Sequence, residues 1–133
     1  REPSRHDPAV LEQAFNNFST LVRRYPNSKY AGDAYQRMIY LRNQMAEKEI
    51  QIAEFYIERK SWLSSAKRAK AVITKYPNTI WTKRALDIML LSYQKLELTE
   101  LAANIQKIID YNDFSDISTT IDPDKYGKAP PSI

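Results

Sequence analysis

The chain has 133 residues, of which 43% are hydrophobic and 27% charged, and its formal net charge is +4. That is enough for one domain with a modest core. The longest apolar run, Ile88 to Leu91, is far short of the ~20 residues that a membrane-spanning helix requires. Cysteine is absent, which excludes disulfides, thiolate catalysis and cysteine-based zinc sites. His6, the one histidine, lies in a polar, proline-bearing N-terminal stretch and supports neither a catalytic triad nor a histidine-rich metal site.

Only Gly32 and Gly127 are glycines, and the middle of the chain is rich in Ala, Leu, Ile, Lys, Arg, Glu and Gln, which enter helices at little entropic cost. An all-α fold is expected. The start at Arg1, without an initiator Met, reads as the beginning of a fragment. Apolar residues at spacings of three and four predict a first helix over 8–24. It stops at Tyr25-Pro26-Asn27, because proline pushes the residue before it out of the helical region. Asn27 and Ser28 then offer side-chain oxygens to the first free N–H groups of a second helix over 29–46. A third is expected over 47–59. Residues 44–48 contain no breaker, however, so one continuous helix from 29 to 59 is the alternative. Further helices follow over 62–75, stopped by Tyr76-Pro77-Asn78, then over 80–96, where Asn78 and Thr79 offer the capping oxygens, and over 99–111. After Tyr111 the periodicity ends, and Asp, Ser, Thr and Pro dominate to Ile133. The expectation is a helical domain over 1–112, followed by an extended or disordered tail over 113–133.

An internal repeat underlies this order. Leu21-Val22 before Tyr25-Pro26-Asn27 returns as Val72-Ile73 before Tyr76-Pro77-Asn78, an offset of 51 residues, with Ala34 answered by Ala85 and Met38 by Met89. Small or aromatic residues where paired helices cross, and a proline closing each unit, follow the tetratricopeptide pattern. Ala14, Phe18, Leu21 and Pro26 fit the second helix of one unit. Ile52, Ala53 and Tyr56, then Ser65, Ala69, Val72 and Pro77, fit the next. Tyr93, Ala102 and Ile109 suggest a third, with Phe114 where proline would be expected. A standard unit is about 34 residues, so the offset implies an insertion between Pro26 and Tyr56.

The residues that depart from a generic array are also specific to one family. Asp7-Pro8, Ala14-Phe15, Phe18, Leu21-Val22-Arg23, Tyr25-Pro26-Asn27-Ser28 and Tyr30 begin the series. Asp33-Ala34, Arg37-Met38, Tyr40-Leu41-Arg42, Ala53-Glu54, Tyr56, Glu58-Arg59, Trp62, Arg68, Tyr76-Pro77, Asp87 and Tyr93 continue it. From about residue 5 to 112 the chain resembles the C-terminal half of the BamD family. That resemblance implies a non-enzymatic tetratricopeptide scaffold at the periplasmic face of the outer membrane, held there by a lipid on an N-terminal cysteine outside this sequence. It implies docking of this half onto the periplasmic POTRA region of BamA, with BamC and BamE as further partners in some lineages. The other half is associated with recognising unfolded outer membrane proteins.

The charges point the same way. From Arg59 to Arg84 there are eight basic residues (Arg59, Lys60, Lys67, Arg68, Lys70, Lys75, Lys83, Arg84) and no acidic one, whereas Glu97 to Asp124 holds seven acidic residues and one Lys. On a helix over 62–75, Trp62, Ala66, Ala69, Val72, Ile73 and Tyr76 form one apolar stripe, with Lys67, Arg68 and Lys75 away from it. The plain reading of such a face is solvation. The functional one is docking of an acidic partner, with Arg68, Lys67, Lys75, Arg59 and Trp62 as candidate contacts. Arg68 leads because its planar guanidinium can hold a carboxylate by two hydrogen bonds. The patch carries no recognisable nucleic-acid motif. Carboxylate pairs such as Glu47/Glu54 and Glu54/Glu58 read as surface ion pairing with Lys48, Arg59 and Lys60. No Gly-rich phosphate loop exists. The competing function is a tetratricopeptide adaptor that holds an extended peptide in a concave groove.

Overall fold

The computed structural model describes residues 7–112 and Phe114; the expected tail over 113–133 otherwise lies outside the described residues. All regular structure among them is α-helical: α1 (Pro8–Arg24), α2 (Ala31–Glu58), α3 (Trp62–Lys75), α4 (Thr82–Lys95) and α5 (Thr99–Tyr111). Five helices replace the six of the two-helix reading, because nothing between Ala31 and Glu58 interrupts the backbone. Ala46 and Met45, at the expected break, are buried helical residues. The described residues fall into two compact units, one ending at Met45 and the other beginning at Ala46.

In the first unit, Asp7 caps α1 by accepting a hydrogen bond from the Ala9 N–H at 3.0 Å, and Pro8 occupies the first turn, where no N–H is needed. Val22, Ala34, Tyr35 and Met38 form a buried cluster flanked by Phe15, Phe18 and Leu21. The Tyr35 hydroxyl is buried without a hydrogen-bond partner, and burial pushes its pKa up. In the second unit, α3 packs on α4 and α4 on α5. Ala46, Ile50 and Ala53 of α2 join Ala69, Val72, Ala85, Leu86, Ile88, Met89 and Ile105 in one core. Phe114, at the position where the repeat pattern expects proline, packs against that core.

The repeat is visible in backbone detail. Tyr25 (φ −131°, ψ 60°) and Tyr76 (φ −130°, ψ 55°) end α1 and α3 in the same conformation, and each donates its N–H to the carbonyl four residues back. The restarts differ from the expected caps. Ser28 Oγ accepts from the Tyr30 N–H at 3.1 Å, one residue before α2. Asn78 instead takes the left-handed conformation (φ 62°), and α4 has no side-chain cap. Asn is one of the few side chains that tolerate this region.

Two other turns use that region without Asn or Gly. After α2, the Lys60 N–H bonds the Ile57 carbonyl and the Ser61 N–H the Tyr56 carbonyl. After α4, the Glu97 N–H bonds the Gln94 carbonyl and the Leu98 N–H the Tyr93 carbonyl. Both are Schellman endings, with Lys60 (φ 58°) and Glu97 (φ 61°) left-handed. A β-carbon there costs about 1 kcal/mol, and the Glu97 carboxylate also meets the negative end of the α4 dipole. Glu97→Gly is therefore expected to raise stability by about 1 kcal/mol. Lys60→Gly should gain less, since a cation suits a helix C-terminus; thermal denaturation of the two variants checks the order.

Two fully buried serines make a second comparison. Ser65 donates to the Ala53 carbonyl at 2.9 Å, whereas Ser92 Oγ has no partner. Removing a made bond costs about 1 kcal/mol, whereas removing an unpaired buried hydroxyl is neutral or favourable. Ser65→Ala should lower the unfolding free energy in urea and Ser92→Ala should not.

Candidate functional site

Helix α3 is held to α2 along a seam of small residues. Ser65, Ala66 and Ala69 are buried on α3, and Ala46 and Ala53 on α2. These let the two backbones approach until the Ser65 hydroxyl reaches the Ala53 carbonyl. With that side fixed inward, helical geometry turns Lys67, Lys70 and Thr74 to solvent along one line and Arg68 and Lys75 along another. All five are exposed. The face carries no carboxylate of its own.

The structure sorts the candidate residues into three groups. Lys67, Arg68 and Lys75 share the outward face of α3. Arg59 lies at the end of α2, where its guanidinium stacks over the Phe55 ring at 3.5 Å and donates to the Phe55 carbonyl. Trp62, in the first turn of α3, is half-buried on the opposite flank, with the Lys95 ammonium 5.8 Å from its ring centre. Arg59 and Trp62 thus stand outside the Lys67–Arg68–Lys75 face.

Two acidic residues of α2 engage the basic ones: Glu49, which the sequence pattern does not single out, and Glu54, expected to pair with its near neighbours in sequence. Glu49 and Glu54 lie on either side of the buried Ala46–Ile50–Ala53 stripe of α2, about 60° and about 80° from Ala46 around the helix axis. Glu49 accepts from Arg68 at 3.4 Å, and Glu54 pairs with Arg84 at 3.4 Å. Glu54 therefore reaches across to α4, and not to the neighbours Arg59 or Lys60 that the sequence suggested. Lys83 chelates Asp87 at 2.6 and 2.8 Å within α4. Three of the eight basic residues, Arg68, Lys83 and Arg84, are engaged in this way, while Arg59 is held by the Phe55 ring and carbonyl. Lys60, Lys67, Lys70 and Lys75 form no ion pair among the described residues. The signal for Glu49 and Glu54 was available: acidic residues bordering an apolar stripe, facing a segment with no anion.

Among the described residues no group of three His, Cys, Asp or Glu side chains could hold a metal ion, and no helix is long and apolar enough to cross a membrane. Fold and face together define a helical-repeat module of the tetratricopeptide kind. Residues 1–108 match the YfiO family, described as an outer membrane lipoprotein, and the chain belongs to that family. It is similar to the outer membrane protein assembly factor BamD of Haemophilus influenzae, 42% identical over 117 residues, covering 86% of this chain and 45% of the relative. The same-named protein of Neisseria gonorrhoeae is 38% identical over 109 residues, covering 82% and 41%. That of Vibrio cholerae is 37% identical over 106 residues, covering 80% and 44%. The chain spans less than half the length of these relatives.

The Glu54–Arg84 pair is about half exposed on both sides, so its net worth is about 0.5 kcal/mol. Glu54→Lys, which sets two cations together, should destabilise the chain by about 1 kcal/mol. Adding Arg84→Glu should return most of the loss, read as thermal midpoints of the single and double variants.

Proposed function

We propose that this chain is the docking part of a non-enzymatic scaffold in outer membrane protein assembly, and that it binds the periplasmic POTRA region of BamA. The observation that carries the reading is the outward face of α3, which has no carboxylate of its own and on which Arg68 lines up with Lys75 beside Lys67, on a helix fixed to its neighbours. The names of the relatives support the assembly role, and membership of an outer membrane lipoprotein family supports a place at the periplasmic face of that membrane. The lipid anchor would belong to a part of the protein outside this sequence.

Such a face acts in two ways. Its unpaired lysines raise the encounter rate with an acidic surface and fix its orientation. Arg68 supplies the directional contact, because five N–H donors in a plane can take up a carboxylate through two parallel bonds. An interaction of this kind is salt-sensitive in its association rate, while loss of the arginine appears mainly in dissociation.

Capture of the isolated periplasmic region of BamA on immobilised chain tests the reading. Wild type should bind, and Arg68→Glu should weaken binding at least about 30-fold, the cost of about 2 kcal/mol for breaking a desolvated charge pair and adding a repulsion. Lys67→Glu and Lys75→Glu should each slow association by a few-fold, with the effect shrinking as salt is raised. Absence of binding by wild type removes the proposal.

A further inference from the structure

We infer that Glu49 is a positioning residue for Arg68: it holds the guanidinium from the α2 side so that the outer edge of the fork is presented to an incoming carboxylate. The inference rests on the docking reading above and adds a second residue to it, one that does not itself touch the partner.

The geometry decides between positioning and sequestration. Glu49 contacts Arg68 through one terminal nitrogen, at 3.4 Å. That is long beside the ~2.8 Å of a strong charge-assisted bond, so a docking carboxylate has little to break. The remaining donors of the planar group are left to a partner. The two side chains are also unequally placed. Glu49 keeps 18% of its surface exposed and Arg68 46%, so the anion lies deep in the seam and the cation rides over it.

The seam fixes where Glu49 sits. Ser65 and Arg68 are one turn apart on α3, and Ala53 and Glu49 are one turn apart on α2. The Ser65–Ala53 hydrogen bond therefore lies next to the Arg68–Glu49 contact on the same pair of helices. A free arginine would spread over many rotamers, and a partner would have to freeze them on binding. An arginine already steered by a fixed carboxylate has lost part of that freedom beforehand. A partner carboxylate then completes an arginine held from two sides, with Lys67 and Lys75 on the same face offsetting the second negative charge.

A double-mutant cycle tests this, with binding of the isolated BamA periplasmic region measured by calorimetry for wild type, Glu49→Ala, Arg68→Ala and the double variant. Glu49→Gln is added because it keeps the shape and an acceptor oxygen. Circular dichroism and thermal midpoints are recorded alongside. Glu49→Ala is expected to weaken binding about threefold to tenfold, the range of one immobilised side chain, and Glu49→Gln to weaken it less. In the Arg68→Ala background, Glu49→Ala should change nothing further. Unchanged or tighter binding by both Glu49 variants overturns the inference while leaving the docking role of Arg68 standing. An equal loss from Glu49→Ala with and without Arg68 also overturns it, because the effect then does not pass through the arginine. Wild-type affinity in Arg68→Ala overturns the docking reading, and the inference with it.

Discussion

The closeness of α2 to α3 is the constraint on which the second unit depends. A hydroxyl can bond the carbonyl of a neighbouring helix only where the side chains between them are small, and Ala46, Ala53, Ser65 and Ala69 are. Each of those alanines contributes little apolar area of its own. What they permit is the packing of the larger side chains of that core, Ile50, Val72, Leu86, Ile88, Met89 and Ile105. Enlarging one of the alanines would force the helices apart and loosen the larger side chains around it. The orientation of α3, and so the direction in which its basic residues point, follows from the same contact.

Much of this was legible because the breakers are unambiguous. Tyr25-Pro26 and Tyr76-Pro77 end two helices where the sequence says they must, and the starts of α1, α3 and α5 were placed on the residues observed. The undecided point was Ala46, since nothing in residues 44–48 separates one helix from two; only packing distinguishes them. The capping expectation failed at Asn78 because that side chain serves the turn through its backbone conformation, not through its oxygen. Lys60 and Glu97 fall in the expected gaps after 59 and 96, but their left-handed conformation was hidden for a related reason: with no glycine to mark it, the chain uses residue types that favour helix.

The outward direction of Lys67, Arg68 and Lys75 was also legible, because a 3.6-residue period assigns faces without any tertiary information. The roles of Arg59 and Trp62 were less accessible. Both belong to the same basic, aromatic stretch in sequence, but the turn at Lys60 separates Arg59 from α3, and Trp62 falls on the side facing α4. Linear proximity suggested one patch where the helix makes two flanks. Ion pairs across helices, such as Glu54 with Arg84, are outside what spacing along one helix can reveal.

The two contacts of the α2–α3 seam have a further consequence, which concerns register. Ser65 meets Ala53 and Arg68 meets Glu49, one turn on along each of two helices that run in opposite directions. If α3 slid by one turn in either direction, the hydroxyl would lose its reach to a carbonyl bared by alanine, and Arg68 would face Ala53 or Met45 instead of an anion. Neither contact contributes much free energy alone. Together they distinguish one alignment of two alanine-rich surfaces that would otherwise pack almost as well one notch along, much as a single polar position selects the alignment of a coiled coil.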